Sequence, residues 1–248
     1  MVKLKADERI DQLYSQSVSI IQSPNVFSFS LDAVLLANFT VITKKDKNIV
    51  DLCAGNGAVG LFLSTQINPD AHIYSIELQS ELADMATRSL ELNHLEKQIT
   101  IINADLKDSF NYLKKDSMDV VTCNPPYFVN YDSSQKNPNR HLALARHELT
   151  TNLAEVAEIS AGLLKMNGNF FCVFRPDRLT DLLETLRKYR LEPKIVQYVR
   201  PHENKDANMV LVKAIKDGKR NGVKVIPDII VYDGDQYSQQ VKEMLYGK

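Results

Sequence analysis

The sequence predicts an α/β fold: a mostly parallel sheet with helices on both faces and an antiparallel pair of strands at one edge. Short apolar runs alternate with longer amphipathic ones through most of the chain, a glycine-rich turn links one apolar run to its helix, and two β-rich runs follow one another near the end. The alternation implies a parallel sheet, because strands separated by helical crossovers run the same way. The successive runs imply the antiparallel pair, because no helix separates them.

Leu13–Gln22 alternates loosely and suits a small hairpin, and Ser30-Leu31-Asp32 opens an apolar helix over Ala33–Val41 with Ser30 or Asp32 as its cap. Asn48–Cys53 has the continuous apolar character of a strand buried on both faces, and Ala58–Gln66 reads as its helix. The pattern continues with His72–Glu77 as strand, Ser80–Leu92 as helix, and Thr100–Asn103, Met118–Cys123 and Asn169–Phe174 as further strands. Helices are expected over Asn152–Lys165, ahead of the turn residues Asn167-Gly168, and over Asp177–Tyr189, opened by Pro176-Asp177. Lys194–Val199 and Met209–Ile215 are the successive β-rich runs. Residues 1–46 then form an N-terminal extension or lid, hairpin and helix, on a single domain spanning 47–248.

Composition narrows the function classes. With 44% hydrophobic and 25% charged residues over 248 positions, the chain has enough apolar content for a sizeable core, which excludes disorder as its main state. No apolar run reaches the roughly 18 residues that a bilayer span needs, and the N-terminus MVKLKADERIDQ lacks the apolar centre of a signal peptide, so a cytoplasmic protein without a membrane partner is expected. Cys53, Cys123 and Cys172 form no C-x-x-C pair and lie in or beside apolar runs, as buried thiols in a reducing compartment do. Charge is uneven: residues 1–135 carry 11 basic and 17 acidic side chains, residues 136–220 carry 16 and 10. That basic stretch is either a solvated surface or a face for an anionic partner.

Asp51-Leu52-Cys53-Ala54-Gly55-Asn56-Gly57-Ala58-Val59-Gly60 falls where a strand turns into a helix. Gly55, Gly57 and Gly60 match G-x-G-x-x-G, and Glu77 ends the next strand 20 residues after Gly57. Glycines let backbone approach a ligand closely, and the acid is placed to accept from the two hydroxyls of a ribose. Alone, these features permit a nicotinamide dinucleotide. Asp51, four residues before Gly55, makes the string D-x-x-x-G-x-G, which resembles motif I of the class I S-adenosylmethionine-dependent methyltransferases. The resemblance implies a Rossmann-like sandwich with a seven-stranded sheet and S-adenosylmethionine as cofactor. It places Asp51 near the methionine ammonium, Ala54, Gly55, Asn56 and Gly57 along the cofactor, Glu77 on the ribose and Asp105 at the adenine amine. Three acids at the ends of three successive strands suit a cationic sulfonium better than a dinucleotide dianion.

Asn124-Pro125-Pro126-Tyr127 follows the predicted strand Met118–Cys123 directly. Consecutive prolines stop the strand and hold an extended backbone, leaving the carbonyls of Asn124 and Pro125 as rigid acceptors beside the Asn124 side chain. Acceptors on both hydrogens of an exocyclic amine stabilise the charge that develops as its nitrogen attacks a methyl group, and Tyr127 offers a face on which a base can stack. The tetrapeptide resembles motif IV of the amino-methyltransferases, which implies catalytic roles for Asn124, Pro125, Pro126 and Tyr127, with Asn124 also touching the cofactor. Cys123 adjoins it, as the nucleophile of pyrimidine C5 methyltransferases would, but alternation along the strand points Cys123 away from the Asn124 face and into the core.

Outside these motifs, Ile21–Ala37, Ala145-Arg146-His147-Glu148 and the closing Tyr232–Tyr246 segment resemble the bacterial adenine-N6 methyltransferases that act beside the anticodon of a valine tRNA, in the methyltransferase small domain group. The resemblance implies a structured RNA, with tRNA the expected one, as partner, and lays Phe27–Asp32 over the cofactor; guanine N2, a protein glutamine amide and a non-catalytic RNA-binding module remain alternatives. Residues 128–150 are long for a connector and follow the catalytic tetrapeptide, so Phe128, Lys136, Arg140 and Arg146 are RNA contact candidates, joined by Arg175. Arg178, Lys188, Arg190 and Arg200 extend the basic stretch. His141 and His147 have no further ligand at metal spacing, and no metal is implied.

Overall fold

The computed structural model describes residues 2–13, 17–24, 31–125 and 152–247. In chain order these form β1 (Arg9–Leu13), β2 (Val18–Gln22), α1 (Leu31–Phe39), β3 (Asn48–Leu52), α2 (Ala58–Leu63), β4 (His72–Glu77), α3 (Ser80–Asn93), β5 (Ile99–Asn103) and, after a 3-10 helix at Leu106–Asn111, β6 (Met118–Cys123). There follow α4 (Leu153–Leu163), β7 (Leu164–Phe174), α5 (Leu179–Lys188), β8 (Leu191–Arg200), β9 (Met209–Lys216), β10 (Lys224–Ile230), β11 (Tyr232–Asp233), β12 (Gln236–Tyr237) and α6 (Gln239–Tyr246).

The main sheet is eight-stranded, in the order β10-β8-β9-β7-β6-β3-β4-β5. The α/β sandwich is the expected one, with one strand more than the seven expected. β8 and β9 do pair antiparallel, but β9 is inserted between β7 and β8, and β10 adds to β8 in parallel as the edge. Pro227 explains why β10 escapes a reading of the sequence: proline cannot donate to a ladder, and here it sits at a register shift between Ile226 and Ile229 on an edge strand, where that loss is tolerated. A second difference is the start of β7. α4 passes into the strand at Leu164 without a separating loop, and the expected turn at Asn167-Gly168 lies inside the strand, where its register against β6 shifts and Asn167 adopts φ 64°.

Two apolar layers sandwich the sheet. On one face Ile49, Ile73, Val120, Phe171, Val173 and Leu211 pack with α1 and α2. On the other, Val50, Leu52, Val121, Cys123, Phe170 and Cys172 pack with Val156 and Ala157 of α4 and Leu182 and Leu186 of α5. Asp32 lies within the first turn of α1, so it is not the cap; Ser30, the other candidate, is outside the described residues. Asn152 caps α4 by accepting from Glu155 N at 2.9 Å, while the Glu155 carboxylate accepts from Asn152 N at 3.2 Å.

The hairpin has its first strand earlier than expected, at Arg9–Leu13. Its second strand borrows partners from α3 and the glycine loop: Ser19 N donates to Asn93 Oδ1 at 2.8 Å, Ile21 N to Ser89 Oγ at 2.9 Å, and Asn56 Nδ2 to the Ile21 carbonyl at 3.2 Å. Such side-chain bonds satisfy backbone groups that a two-stranded ribbon would otherwise leave unpaired beside α3. Among the described residues, no helix is long and apolar enough to cross a membrane.

Candidate active site

β3 is flanked by β4 on one side and β6 on the other, so successive strands leave it in opposite directions. Such a switch point opens a crevice at the carboxyl ends of the strands. The register brings those ends level: Leu52 lies opposite both Ile76 and Cys123, and Glu77 opposite Asn103. Residues 53–57, 78–79, 104–105 and 124–125 therefore emerge on one rim.

The glycine loop is shaped by three different constraints. Gly55 has φ 58° and open space where a side chain would begin. Gly57, at φ 83°, lies where an added Cβ would come within 3.1 Å of Ala86 Cβ on α3, and at Gly60 the same atom would meet Ser75 Oγ at 3.1 Å. Only Gly55 thus has the open approach that a ligand needs; Gly57 and Gly60 let α2 close on its neighbours. Ala54 is buried, with its amide on the Ile76 carbonyl at 3.0 Å and its carbonyl accepting from Gly57 N at 2.9 Å. Asn56, expected along the cofactor, is buried and spends its side-chain amide on the hairpin, so it shapes the loop from behind.

The three acids differ in state. Asp51 is wholly buried on the α1/α2 face of the sheet; its Oδ1 accepts from Thr122 Oγ1 at 2.7 Å, while Oδ2 has no hydrogen-bond partner. Burial pushes its carboxyl up to about 7, the Thr122 hydrogen bond opposes the rise, and the neighbouring Glu77 adds to it. Glu77 is buried too, accepting from Gly55 N at 2.7 Å and Gln79 N at 2.8 Å. Its burial raises the carboxyl despite those bonds. Asp105 is half-buried and caps the 3-10 helix, with Oδ1 accepting from Lys107 N at 3.0 Å. A carboxylate has two oxygens, so the cap leaves acceptor capacity.

Two buried acids, one with an orphaned oxygen, favour a ligand that brings positive charge and hydrogen-bond donors. S-adenosylmethionine carries both, an ammonium and ribose hydroxyls, and the open space at Gly55 would admit its body.

Asn124 is half-buried and Pro125 buried where β6 ends, beside the glycine loop that follows β3. Pro126, Tyr127, Phe128, Lys136, Arg140 and Arg146 lie outside the described residues, as do Phe27–Ser30, His141 and His147. Cys123 is fully buried; burial first, then the neighbouring Cys53 and Cys172 thiols, push its own thiol well up, which keeps it protonated and unsuited to nucleophilic attack. Thr122 and Asn103 were not expected at the site. Asn103 Nδ2 donates to the Glu77 carbonyl at 2.9 Å and the Leu78 carbonyl at 3.1 Å, fixing the turn that carries Glu77. Each is a polar residue at the carboxyl end of its strand, and that position is the signal that would have found them.

Arg175 follows β7 on the active rim, but its guanidinium is engaged by Asp177, Nε to Oδ1 at 2.9 Å and Nη2 to Oδ2 at 3.3 Å. Arg178, Arg190 and Arg200 pair with Asp181, Asp217 and Asp228. Lys188 and Arg190 precede β8, whose first residue Leu191 faces Lys216 at the amino-terminal end of the sheet. They cannot share a surface with the rim, which corrects their assignment to one RNA face.

The sequence profile described as the methyltransferase small domain matches residues 17–177. Relatives include proteins named tRNA1(Val) (adenine(37)-N6)-methyltransferase from Pedobacter heparinus, 26% identical over 75% of this chain and 76% of that one, and from Flavobacterium psychrophilum, 25% identical over 88% and 90%. Among solved structures, a predicted O-methyltransferase from Agrobacterium tumefaciens superposes with TM-score 0.69 at 22% identity, covering 87% of this chain and 96% of that one. Switch-point crevice, glycine turn and profile agree over most of the chain, and the chain belongs to the methyltransferase small domain family.

Proposed function

We propose that the protein transfers a methyl group from S-adenosylmethionine to the N6 amine of an adenosine in tRNA, at the position 3′ to the anticodon, in the cytoplasm. The observation that carries the reading is the emergence of Asn124-Pro125 from β6 directly beside the Gly55 turn, so that the amine-binding acceptors and the cofactor loop share one rim. The substrate is that of the activity named for relatives that align over most of their own length. Bound cofactor supplies a methyl group on a sulfonium, activated for attack by a nitrogen.

The chain's own residues bind and orient. Asp51 and Glu77 hold the cofactor's polar ends, and Asp105 accepts from its adenine amine. The Asn124 side-chain oxygen and the Pro125 carbonyl accept the two hydrogens of the target amine, which draws its lone pair out of the ring and aims it at the methyl group. No side chain has to act as base, since the methylated ammonium is acidic enough to lose a proton to water. Tyr127 stacks on the base, and Phe128, Lys136, Arg140, Arg146 and Arg175 are the candidates for RNA contact.

The test is incubation with methyl-labelled S-adenosylmethionine and bacterial tRNA, rRNA or protein separately, followed by digestion and mass identification. N6-methyladenosine in tRNA is the expected product; label only in rRNA or in protein would overturn the substrate, and no label in any of the three would overturn the activity. Asn124→Ala is expected to weaken S-adenosylhomocysteine by no more than about tenfold, the loss of one contact, and to lose at least about a hundredfold in turnover at saturating cofactor, the scale of one removed transition-state hydrogen-bonding group. Full turnover in that variant would sink the mechanism.

A further inference from the structure

We propose that Thr122 is a positioning residue of the cofactor site: its hydroxyl holds Asp51 by one oxygen and so reserves the other for the ammonium at the methionyl end of the cofactor. The inference rests on the cofactor reading above.

Asp51 and Thr122 are direct neighbours across β3 and β6, and Asp51 and Ser75 are direct neighbours across β3 and β4. Alternation puts all three on the same face as Ile49, Ile73 and Val120, under α2. Asp51 therefore stands between two hydroxyls and bonds to one. Thr122 Oγ1 lies 2.7 Å from Asp51 Oδ1 and 3.4 Å from the Val50 carbonyl. A hydroxyl has one proton, and the shorter contact with a carboxylate claims it. Ser75 Oγ is buried and has no partner, like Asp51 Oδ2.

Leaving a buried polar atom unsatisfied costs about 1–3 kcal/mol, so Asp51 Oδ2 is an acceptor in want of a donor, and the Thr122 bond fixes the carboxylate through its other oxygen. A fixed carboxylate with one satisfied and one free oxygen is a pre-oriented acceptor for a donor cation, and it loses little orientational freedom on binding. Thr122 on β6 also lies two residues before Asn124, so the strand that holds the acid for the cofactor leads directly into the acceptor for the amine.

Two ligands separate this role from a general contribution to the fold. S-adenosylhomocysteine carries the α-ammonium; 5′-methylthioadenosine has the same nucleoside and sulfur without it. Isothermal titration should show that Thr122→Val weakens S-adenosylhomocysteine about tenfold, as expected for loss of an orienting hydrogen bond to a charged group, and leaves 5′-methylthioadenosine within about twofold. Thr122→Ser should restore the wild-type affinities, and Ser75→Ala should leave both ligands unaffected. In an Asp51→Asn background, Thr122→Val should add no further loss for either ligand. Thr122→Ala, which removes the hydroxyl without adding a buried methyl group beside the carboxylate, should repeat the Thr122→Val pattern and serves if the valine variant does not fold. Equal weakening of both ligands, unchanged affinity for both, or failure of Thr122→Ser to restore binding would overturn the proposal. Failure of both ligands to bind the wild-type protein would overturn the cofactor reading beneath it.

Discussion

Asp51→Asn tests the electrostatics of the site without any substrate. Burial and the neighbouring Glu77 hold the Asp51 carboxyl near 7 in the folded protein, against an ordinary value of 3.8. The folded state therefore binds a proton between about pH 4 and 7 that the unfolded chain has already released, so stability falls as pH rises through that window. At about 1.4 kcal/mol per tenfold change, the loss attributable to this one group is on the order of 4 kcal/mol by pH 8. Glu77 is raised as well and contributes with the same sign. An asparagine cannot ionise; it keeps the acceptor for Thr122 but leaves a buried amide donor where Oδ2 was, a cost of about 1–3 kcal/mol at every pH. The stability difference between wild type and variant should therefore depend on pH, favouring wild type near pH 5 and shifting toward the variant by pH 8. Urea unfolding of the unliganded proteins across that range measures it, because groups common to both cancel in the difference. Saturating S-adenosylhomocysteine should flatten the wild-type slope, since its ammonium stabilises the ionised acid. Parallel stability curves for the two unliganded proteins would refute the account of Asp51 as a buried, proton-holding acid.

Two further substitutions probe the cradle and its support. Gly55→Ala places a Cβ in open space at φ 58°; the left-handed backbone should cost about 1–2 kcal/mol in urea unfolding, while S-adenosylhomocysteine affinity falls by more than tenfold, and an unchanged affinity would show that the ligand does not pass there. Arg88 donates to Glu8 and Asp84 across α3 and the N-terminal segment, with side chains 13% and 6% exposed for Arg88 and Glu8. Arg88→Ala leaves a buried carboxylate without its cation and should lower unfolding free energy by about 3 kcal/mol at pH 7. That loss should shrink as pH falls, because hydrogen bonding to Arg88 holds Glu8 below its ordinary range and the contribution disappears once Glu8 is protonated; a loss that does not vary with pH would assign the effect to packing of the arginine stem.

The parts of the fold legible in the sequence are those where local pattern and burial agree. β4 and β6 have the bounds that their apolar runs imply, and the switch from strand to glycine turn to helix is visible because the closely spaced glycines of Asp51–Gly60 follow an apolar run and open a helical one. β10 was not legible because Pro227 argues locally against a strand, and only its edge position makes the residue tolerable. The cofactor acids were legible as residue types at strand ends. Their states were not: the rise of Asp51 comes from burial, with Glu77 adding to it and the Thr122 hydrogen bond opposing it, all set by parts of the chain distant in sequence, while the cap made by Asp105 depends on the local turn that brings Lys107 N to its Oδ1. Asn56 shows the converse: its place in the glycine string suggests ligand contact, and its hydrogen bond to Ile21 makes it a tie to the hairpin.

Charge along the chain misleads for a related reason. The basic stretch is a property of sequence order, whereas an RNA meets a surface sorted by strand direction. β7 and β8 both run antiparallel to β9, so Arg175, Arg178 and Arg200 reach the rim while Lys188 and Arg190 stay at the opposite end. Each of the three rim arginines already faces a carboxylate, Asp177, Asp181 or Asp228. A phosphate that approaches Arg175 must displace or share Asp177, exchanging one anion for another, and the attraction gained is smaller than for an arginine surrounded by water. The geometry of the described rim thus favours contacts that position a substrate over contacts that attract it from a distance.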